Sequence, residues 1–158
     1  MSQTRGVPIL RVTELPVGLE SLILESEAEG FEFVRRLQRE RLEGLNRVDQ
    51  PGELLVASFC GQELDAIVGI NRDPYLGDPK VGRLRHVYVR ADRRNSGIGS
   101  ALVRALLEAA QANFECIRLR AATPRSDAFY ERLGFQRMAR DTEDATATHR
   151  RPAPGGWG

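Results

Sequence analysis

The sequence predicts a mixed α/β domain with a partly antiparallel sheet, and three observations carry that expectation. Two apolar runs, 53–59 and 64–70, flank Gly61 and Gln62, which reads as a β-hairpin. A β-branched run over 83–89 leads through a glycine-containing turn into an amphipathic stretch over 100–112. Further strand patterns at 116–122, 135–138 and 145–149 surround a short helical pattern over 127–133.

Taken in order, Ile9 to Val12 reads as a short strand ending near Pro16. Leu19 to Ala28 reads as a helix with Leu19, Leu22 and Ile23 on one side, interrupted by Gly30. Phe31 to Leu45 continues as a second helix, with Phe31, Val34, Leu42 and Leu45 available for packing; Gly44 and Asn46 suit its end. Pro51-Gly52 marks a loop before the hairpin, and residues 71–82, with two prolines and two glycines, read as another. In the helix over 100–112, Leu102, Val103, Leu106, Leu107 and Ala110 form the buried stripe. Gly134 suits the left-handed position that closes the helix over 127–133. Arg151 to Gly158 reads as a frayed tail, so residues 1–150 are expected to form one domain.

Composition narrows the function. The 158 residues suffice for one domain with a core, with 41% hydrophobic and 28% charged residues. A net charge of +1 supplies no global drive toward nucleic acid or a membrane surface. No apolar run is long enough to span a membrane, and no signal-peptide pattern opens the chain. Cys60 and Cys116 belong to no CxxC pair, and the expectation is that both are reduced and buried in a cytoplasmic protein. No ligand cluster calls for a metal.

The stretch from Val87 to Leu102 carries the most chemistry. It reads as strand, turn, helix, with Arg90, Arg93, Arg94, Gly97 and Gly99 around the turn. The first N–H groups of a helix have no partner within it and, with the helix dipole, favour an anion. Arginines crowded beside glycines would repel one another without one, so a phosphorylated cofactor is the expected guest. A dinucleotide-binding turn wants a third glycine at the position of Leu102, which instead faces the core. A P-loop wants Gly-Lys-Ser/Thr, and none is present here.

Val89-x-Ala91-x-x-Arg94-x-x-Gly97-Ile98-Gly99-x-x-Leu102 resembles the Arg/Gln-x-x-Gly-x-Gly/Ala signature of the GNAT superfamily of acyl-CoA-dependent N-acetyltransferases. Thr123-x-x-Ser126-x-x-Phe129-Tyr130-Glu131-Arg132-Leu133-Gly134-Phe135 is similar to a second segment of that family, Asn-x-x-Ala-x-x-Phe-Tyr-x-x-Leu-Gly-Phe. Ala91 stands where the family usually has proline, and Thr123 and Ser126 replace the usual Asn and Ala. The resemblance covers nearly the whole chain. It implies a mostly antiparallel central sheet splayed in the middle and flanked by about four helices.

It also implies acetyl transfer from acetyl-CoA to a small-molecule amine by direct attack, with homodimers common in the family. By that resemblance, the backbone of Arg94, Asn95, Ser96, Gly97, Ile98, Gly99 and Ser100 grips the pyrophosphate. Val87, Tyr88 and Val89 align the pantetheine arm and supply an N–H to the acyl oxygen. Thr123 offers a hydroxyl to cofactor or backbone, and Phe129 contacts the cofactor. Tyr130 stands where the family keeps a general acid, with packing as its structural alternative. The positions from which relatives supply a base are Arg85 and Arg83, and a guanidinium cannot serve as one. His86 is expected to pack, on the face opposite Arg85, and His149 to lie on the last strand within reach of the acceptor site. Arg83 and Arg85 would share the face of Val87 and Val89, there pairing with internal carboxylates or with an acidic group on the acceptor. Asp73 and Tyr75 are further acceptor-site candidates, although Asp-Pro is also a plain turn signal. A non-catalytic acyl-CoA-binding module is the alternative function. A nucleic-acid binder is disfavoured by the charge balance and by the lack of aromatics interleaved with basic residues.

Overall fold

The structure is a computed structural model that describes residues 9–11, 14–45, 51–138 and 146–152. Its strands are β1 (Ile9–Arg11), β2 (Leu54–Cys60), β3 (Glu63–Arg72), β4 (Val81–Val89), β5 (Cys116–Leu119), β6 (Gln136–Arg137) and β7 (His149–Pro152). Its α-helices are α1 (Leu19–Ala28), α2 (Phe33–Leu42), α3 (Ile98–Ala110) and α4 (Pro124–Arg132). One sheet holds all seven strands in the order β1-β2-β3-β4-β5-β7-β6. Every neighbouring pair is antiparallel except β4 and β5, which α3 joins by a crossover. The expected hairpin is β2–β3, with Gly61 in the left-handed region at its tip.

Two apolar layers cover the sheet. On one face Val56, Ala66, Val68, Ile70 and Leu84 pack with Leu102, Val103, Leu106, Leu107 and Ala110 of α3, and with Tyr130, Leu133 and Phe135 from α4 and its C-terminal end. On the other, Leu55, Ala57, Ile67 and Tyr88 pack with Leu19, Leu22 and Ile23 of α1 and Val34 and Leu37 of α2. The alternation along β2 and β3 is what separates the layers.

Several expected boundaries move. The loop between β3 and β4 shrinks, because Asn71 and Arg72 pair with Arg83 and Gly82. In α2, Val34 and Leu37 form the buried stripe, while Leu42 and Leu45 are exposed at and beyond its end. The last strand runs over His149–Pro152 rather than 145–149, so Arg151 and Pro152 belong to the sheet and not to a tail. Val12, Asn46, residues 139–145 and residues 153–158 lie outside the described residues. Neither cysteine is fully buried: Cys60 is exposed and Cys116 half-buried, and both are free thiols.

The largest departure lies in β4. Ile67 faces Tyr88 and Gly69 faces Arg85, so a β-bulge sets two residues of β4, His86 and Val87, against the single residue Val68. His86 takes a left-handed conformation there, with φ of 59°. One extra residue reverses the alternation downstream. Val87 and Val89 therefore face α3 and α4, whereas Arg83 and Arg85 point to the opposite face, toward α1 and α2. The expectation that the two arginines share the face of Val87 and Val89 is corrected by this bulge. So is the expectation that His86 opposes Arg85: Arg85 reaches Glu40 of α2 at 3.1 Å, and His86 Nδ1 lies 3.0 Å from the Phe33 carbonyl at the start of the same helix.

His86 packs, as expected, and its burial has an acid consequence. Desolvation, with the Arg85 charge second, pulls its imidazole from 6.5 down to about 3. Below pH 6.5 the unfolded chain binds a proton that the folded one refuses, so stability falls as pH drops from 6.5 toward about 3. At pH about 5 this single group removes about 2 kcal/mol. Urea unfolding near neutrality and at pH about 5 measures it, and His86→Asn, which tolerates the left-handed backbone, is expected to flatten the dependence. An unchanged slope in the variant would assign the acid sensitivity to other groups.

Candidate active site at the β4–β5 opening

The β4–β5 ladder is short. Val81, Gly82 and Arg83 pair with Cys116, Ile117 and Arg118, and the recorded pairing stops there. From Leu84 to Val89 the strand keeps its antiparallel partner β3 while β5 diverges, which is the expected splay. Val87, Val89, Ala121, Phe129 and Tyr130 all belong to the apolar cluster on the α3/α4 side of this opening.

The turn after β4 brings the N-terminus of α3 over the opening. A 3-10 turn, Ala91–Arg93, is followed by Asn95 and Gly97 in the left-handed region, with φ of 66° and 90°. Gly97 is the N-cap of α3; no side chain caps the helix, and its first turn holds no acidic residue. The first intrahelical bond is donated by Ala101 to the Gly97 carbonyl, so the N–H groups of Ile98, Gly99 and Ser100 precede the ladder. Gly99 has a packing role: a Cβ there would stand 3.2 Å from Val89 Cγ2 and 3.5 Å from the Phe129 ring. Its absence lets the first turn of α3 lie against the end of β4 and α4.

Two of the three arginines of the turn, Arg90 and Arg94, are already ion-paired, which corrects the argument that their crowding needs an external anion. Arg90 bonds Glu63 at 3.0 Å and Asp92 at 3.3 Å, and Arg93 approaches Cys60 Sγ. Arg94 makes a bidentate pair with Glu29 just past the end of α1, at 2.7 and 2.9 Å, and its Nε donates to the Val89 carbonyl. That pairing holds the Glu29 carboxyl below the usual carboxylate range. The Tyr88 hydroxyl lies 2.7 Å from both Glu25 and Glu29, and the Ala91 N–H donates to Glu25. The Arg94 side chain thus fastens the turn to α1, and the anion-facing groups are backbone N–H. Nothing at sequence level singles out Glu25 and Glu29, because the contact spans more than sixty residues of chain.

In α4, Thr123 is the N-cap: its hydroxyl accepts the Ser126 N–H at 3.1 Å and the Ser126 hydroxyl accepts the Thr123 N–H at 3.0 Å. This capping box accounts for the paired departure from the family's Asn and Ala, and it directs the Thr123 hydroxyl to the backbone. Tyr130 packs edge-on against Phe129 and Phe135, with ring centroids 5.1 and 5.8 Å away. Burial alone raises its phenol above the ordinary tyrosine value.

A model of the acetyltransferase (GNAT) domain matches residues 50–137, more than half of the chain. The chain belongs to the GNAT acetyltransferase family. Among solved structures, an Exiguobacterium sp. 255-15 protein described as an acetyltransferase is 29% identical, with a TM-score of 0.80 over 92% of this chain and 93% of that one. A GNAT family protein from Desulfovibrio desulfuricans is 19% identical, with a TM-score of 0.71 over 93% and 99%. The Escherichia coli GNAT family N-acetyltransferase YhbS, solved in complex with CoA, is 16% identical, with a TM-score of 0.65 over 93% and 81%. No curated protein matches the sequence at a significant level.

Within this GNAT fold the remaining expected site residues separate. Arg85 is paired with Glu40. Asp73 and Tyr75 do meet Arg83: Asp73 Oδ2 lies 3.8 Å from its Nη1, and the Tyr75 ring lies 4.9 Å from its guanidinium carbon. Asp73 itself is fully buried, and its Oδ1 accepts the N–H groups of Tyr75 and Leu76, so it is an internal counter-ion and not an acceptor contact. His149 is buried against α4, 3.0 Å from Glu131, and so lies away from the α1/α2 face on which Arg83 stands. Arg118, directly opposite Arg83 and 3.1 Å from Asp73, was not legible as a site residue. Its one signal is a charge inside the otherwise apolar run of β5. Among the described residues no helix is long and apolar enough to cross a membrane, and no group of three His, Cys, Asp or Glu could hold a metal.

Proposed function

We propose that the protein transfers an acetyl group from acetyl-CoA to a small-molecule amine by direct attack, without an acyl-enzyme. The observation that carries this reading is the uncapped N-terminus of α3, set by Gly97 and Gly99 at the mouth of the β4–β5 opening. The CoA complex of the Escherichia coli relative supports the same ligand class. When bound, acetyl-CoA supplies the activated acyl thioester.

The chain's own groups then divide the work. The N–H groups of Ile98, Gly99 and Ser100, with those of Arg94 to Gly97, would hold the pyrophosphate at the positive end of the helix dipole. The backbone of β4 from Val87 to Val89 would extend along the pantetheine arm, and one of its N–H groups would donate to the acyl oxygen as negative charge develops there. Phe129 and Val89, packed against the α3-side core, would form the apolar wall beside the thioester. Tyr130 would hold the proton that the departing thiolate takes up; its raised pKa keeps it protonated across the working range. With Arg83 and Arg85 at the base positions, solvent removes the amine proton. The free thiols of Cys60 and Cys116 suit a reducing, cytoplasmic setting.

The missing base favours a second reading, a non-catalytic acyl-CoA-binding module. Steady-state CoA release decides between them. Turnover above the hydrolytic background with any amine of a broad panel supports the enzyme. Acetyl-CoA binding by calorimetry, with no turnover on that panel, supports the module. Absence of acetyl-CoA binding overturns both.

A further inference from the structure

Arg83 and Arg118 are direct neighbours on β4 and β5, at the last recorded pair before the strands part. Both sit on the sheet face away from α3, because Leu84, Ile117 and Leu119 fill the α3 side. Like charges directly opposite one another on adjacent strands repel, and here both are buried: the side chains are 10% and 3% exposed. Among the described residues, the carboxylate that both approach is Asp73. It is 3.1 Å from Arg118 and 3.8 Å from Arg83, so the hydrogen bond goes to Arg118. Arg118 also donates to Thr146 Oγ1 at 2.9 Å. Arg83 has the poorer share: its buried Nη1 makes no hydrogen bond, and its remaining contact is the half-exposed Tyr75 ring stacked over the guanidinium. Arg83 is therefore the less well satisfied of the two buried guanidinium groups at this opening. A buried guanidinium is stable only when paired, and its planar fork matches a carboxylate.

We infer that Arg83, flanked by Tyr75 and backed by the Asp73–Arg118 pair, is an anion subsite for the acceptor, and that the preferred acceptor is a small amine bearing a carboxylate. This rests on the acetyl-transfer reading above. Arg83 stands on the α1/α2 face, opposite Val89 and Phe129, so an acceptor anchored there would approach from the side away from α3. Arg85 forms a separate ion pair with Glu40 of α2.

The test uses the full-length protein at saturating acetyl-CoA, with short ω-amino acids and the alkylamines of matched chain length. A charge-assisted pair predicts a kcat/KM for the carboxylated series at least about 10-fold above the matched amines. Arg83→Met is expected to bring that ratio to about one, acting through KM and not kcat. Alkylamines used equally well, or a ratio unchanged in Arg83→Met, would overturn the subsite. A second arm needs no turnover. Valerate should raise the thermal unfolding midpoint of the wild type but not of Arg83→Met. If neither series releases CoA while valerate still protects, the transfer reading fails and the anion subsite stands. If valerate gives no protection, the subsite fails. Should Arg83→Met not fold, the wild-type ratio and the wild-type response to valerate decide alone.

Discussion

Gly97→Asp will abolish acetyl-CoA binding in a calorimetric titration and leave the protein folded. Two effects combine at this position. The backbone φ of 90° lies in the left-handed region, which costs a non-glycine residue about 1–2 kcal/mol. More important, a carboxylate at the N-cap of α3 would accept the N–H groups of the first turn and place negative charge where the pyrophosphate is to sit. The expected loss is about 100-fold or more in affinity, since each 1.4 kcal/mol is tenfold. Gly97→Ala separates the effects. A Cβ at this glycine meets nothing within 4 Å, so alanine brings the backbone strain without a clash or a charge. It is expected to keep affinity within about tenfold. Equal losses in the two variants would mean that the turn's shape, and not its charge, governs binding. Full binding by the aspartate variant would remove the α3 N-terminus from the site.

Tyr130→Phe will lower kcat by about 100-fold and leave the KM for acetyl-CoA nearly unchanged. Phenylalanine keeps the edge-on contacts with Phe129 and Phe135, so the unfolding midpoint should hold. The pH profile gives a second check. Burial raises the phenol above its ordinary value near 10, so the wild type should show no loss of kcat from tyrosine ionisation below pH about 10. Unchanged kcat in the variant would make Tyr130 a packing residue and leave protonation of the thiolate to water.

Much of this architecture was legible. The Val89–Leu102 and Thr123–Phe135 segments name the family because turn geometry and helix ends are local: Gly97, Gly99 and Gly134 are needed where they stand by backbone angle or close approach. The stripes of α1 and α3 follow from helical periodicity over ten and thirteen residues. What escaped depends on pairing across long stretches of chain. Counting by twos along β4 places Arg85 beside Val87, and only the register against β3 reveals the extra residue at His86. The partners of Arg94 and Tyr88 sit on α1 and just past its end, and Arg118 meets Arg83 only because β5 pairs parallel to β4. The turn's arginines looked like an anion trap because Glu29 and Glu63, the partners of Arg94 and Arg90, are remote in sequence.

The bulge has a consequence for how this strand can change over time. Because it exchanges inside for outside midway along β4, positions 83 and 85 answer to one set of neighbours and positions 87 and 89 to another. Variation at the first pair leaves untouched the surface against which α3 is seated. The alternate positions of one strand thereby answer to α1 and α2 before the bulge and to α3 and α4 after it. Deleting one residue at the bulge would put both pairs on one face and set one of them against the wrong neighbours.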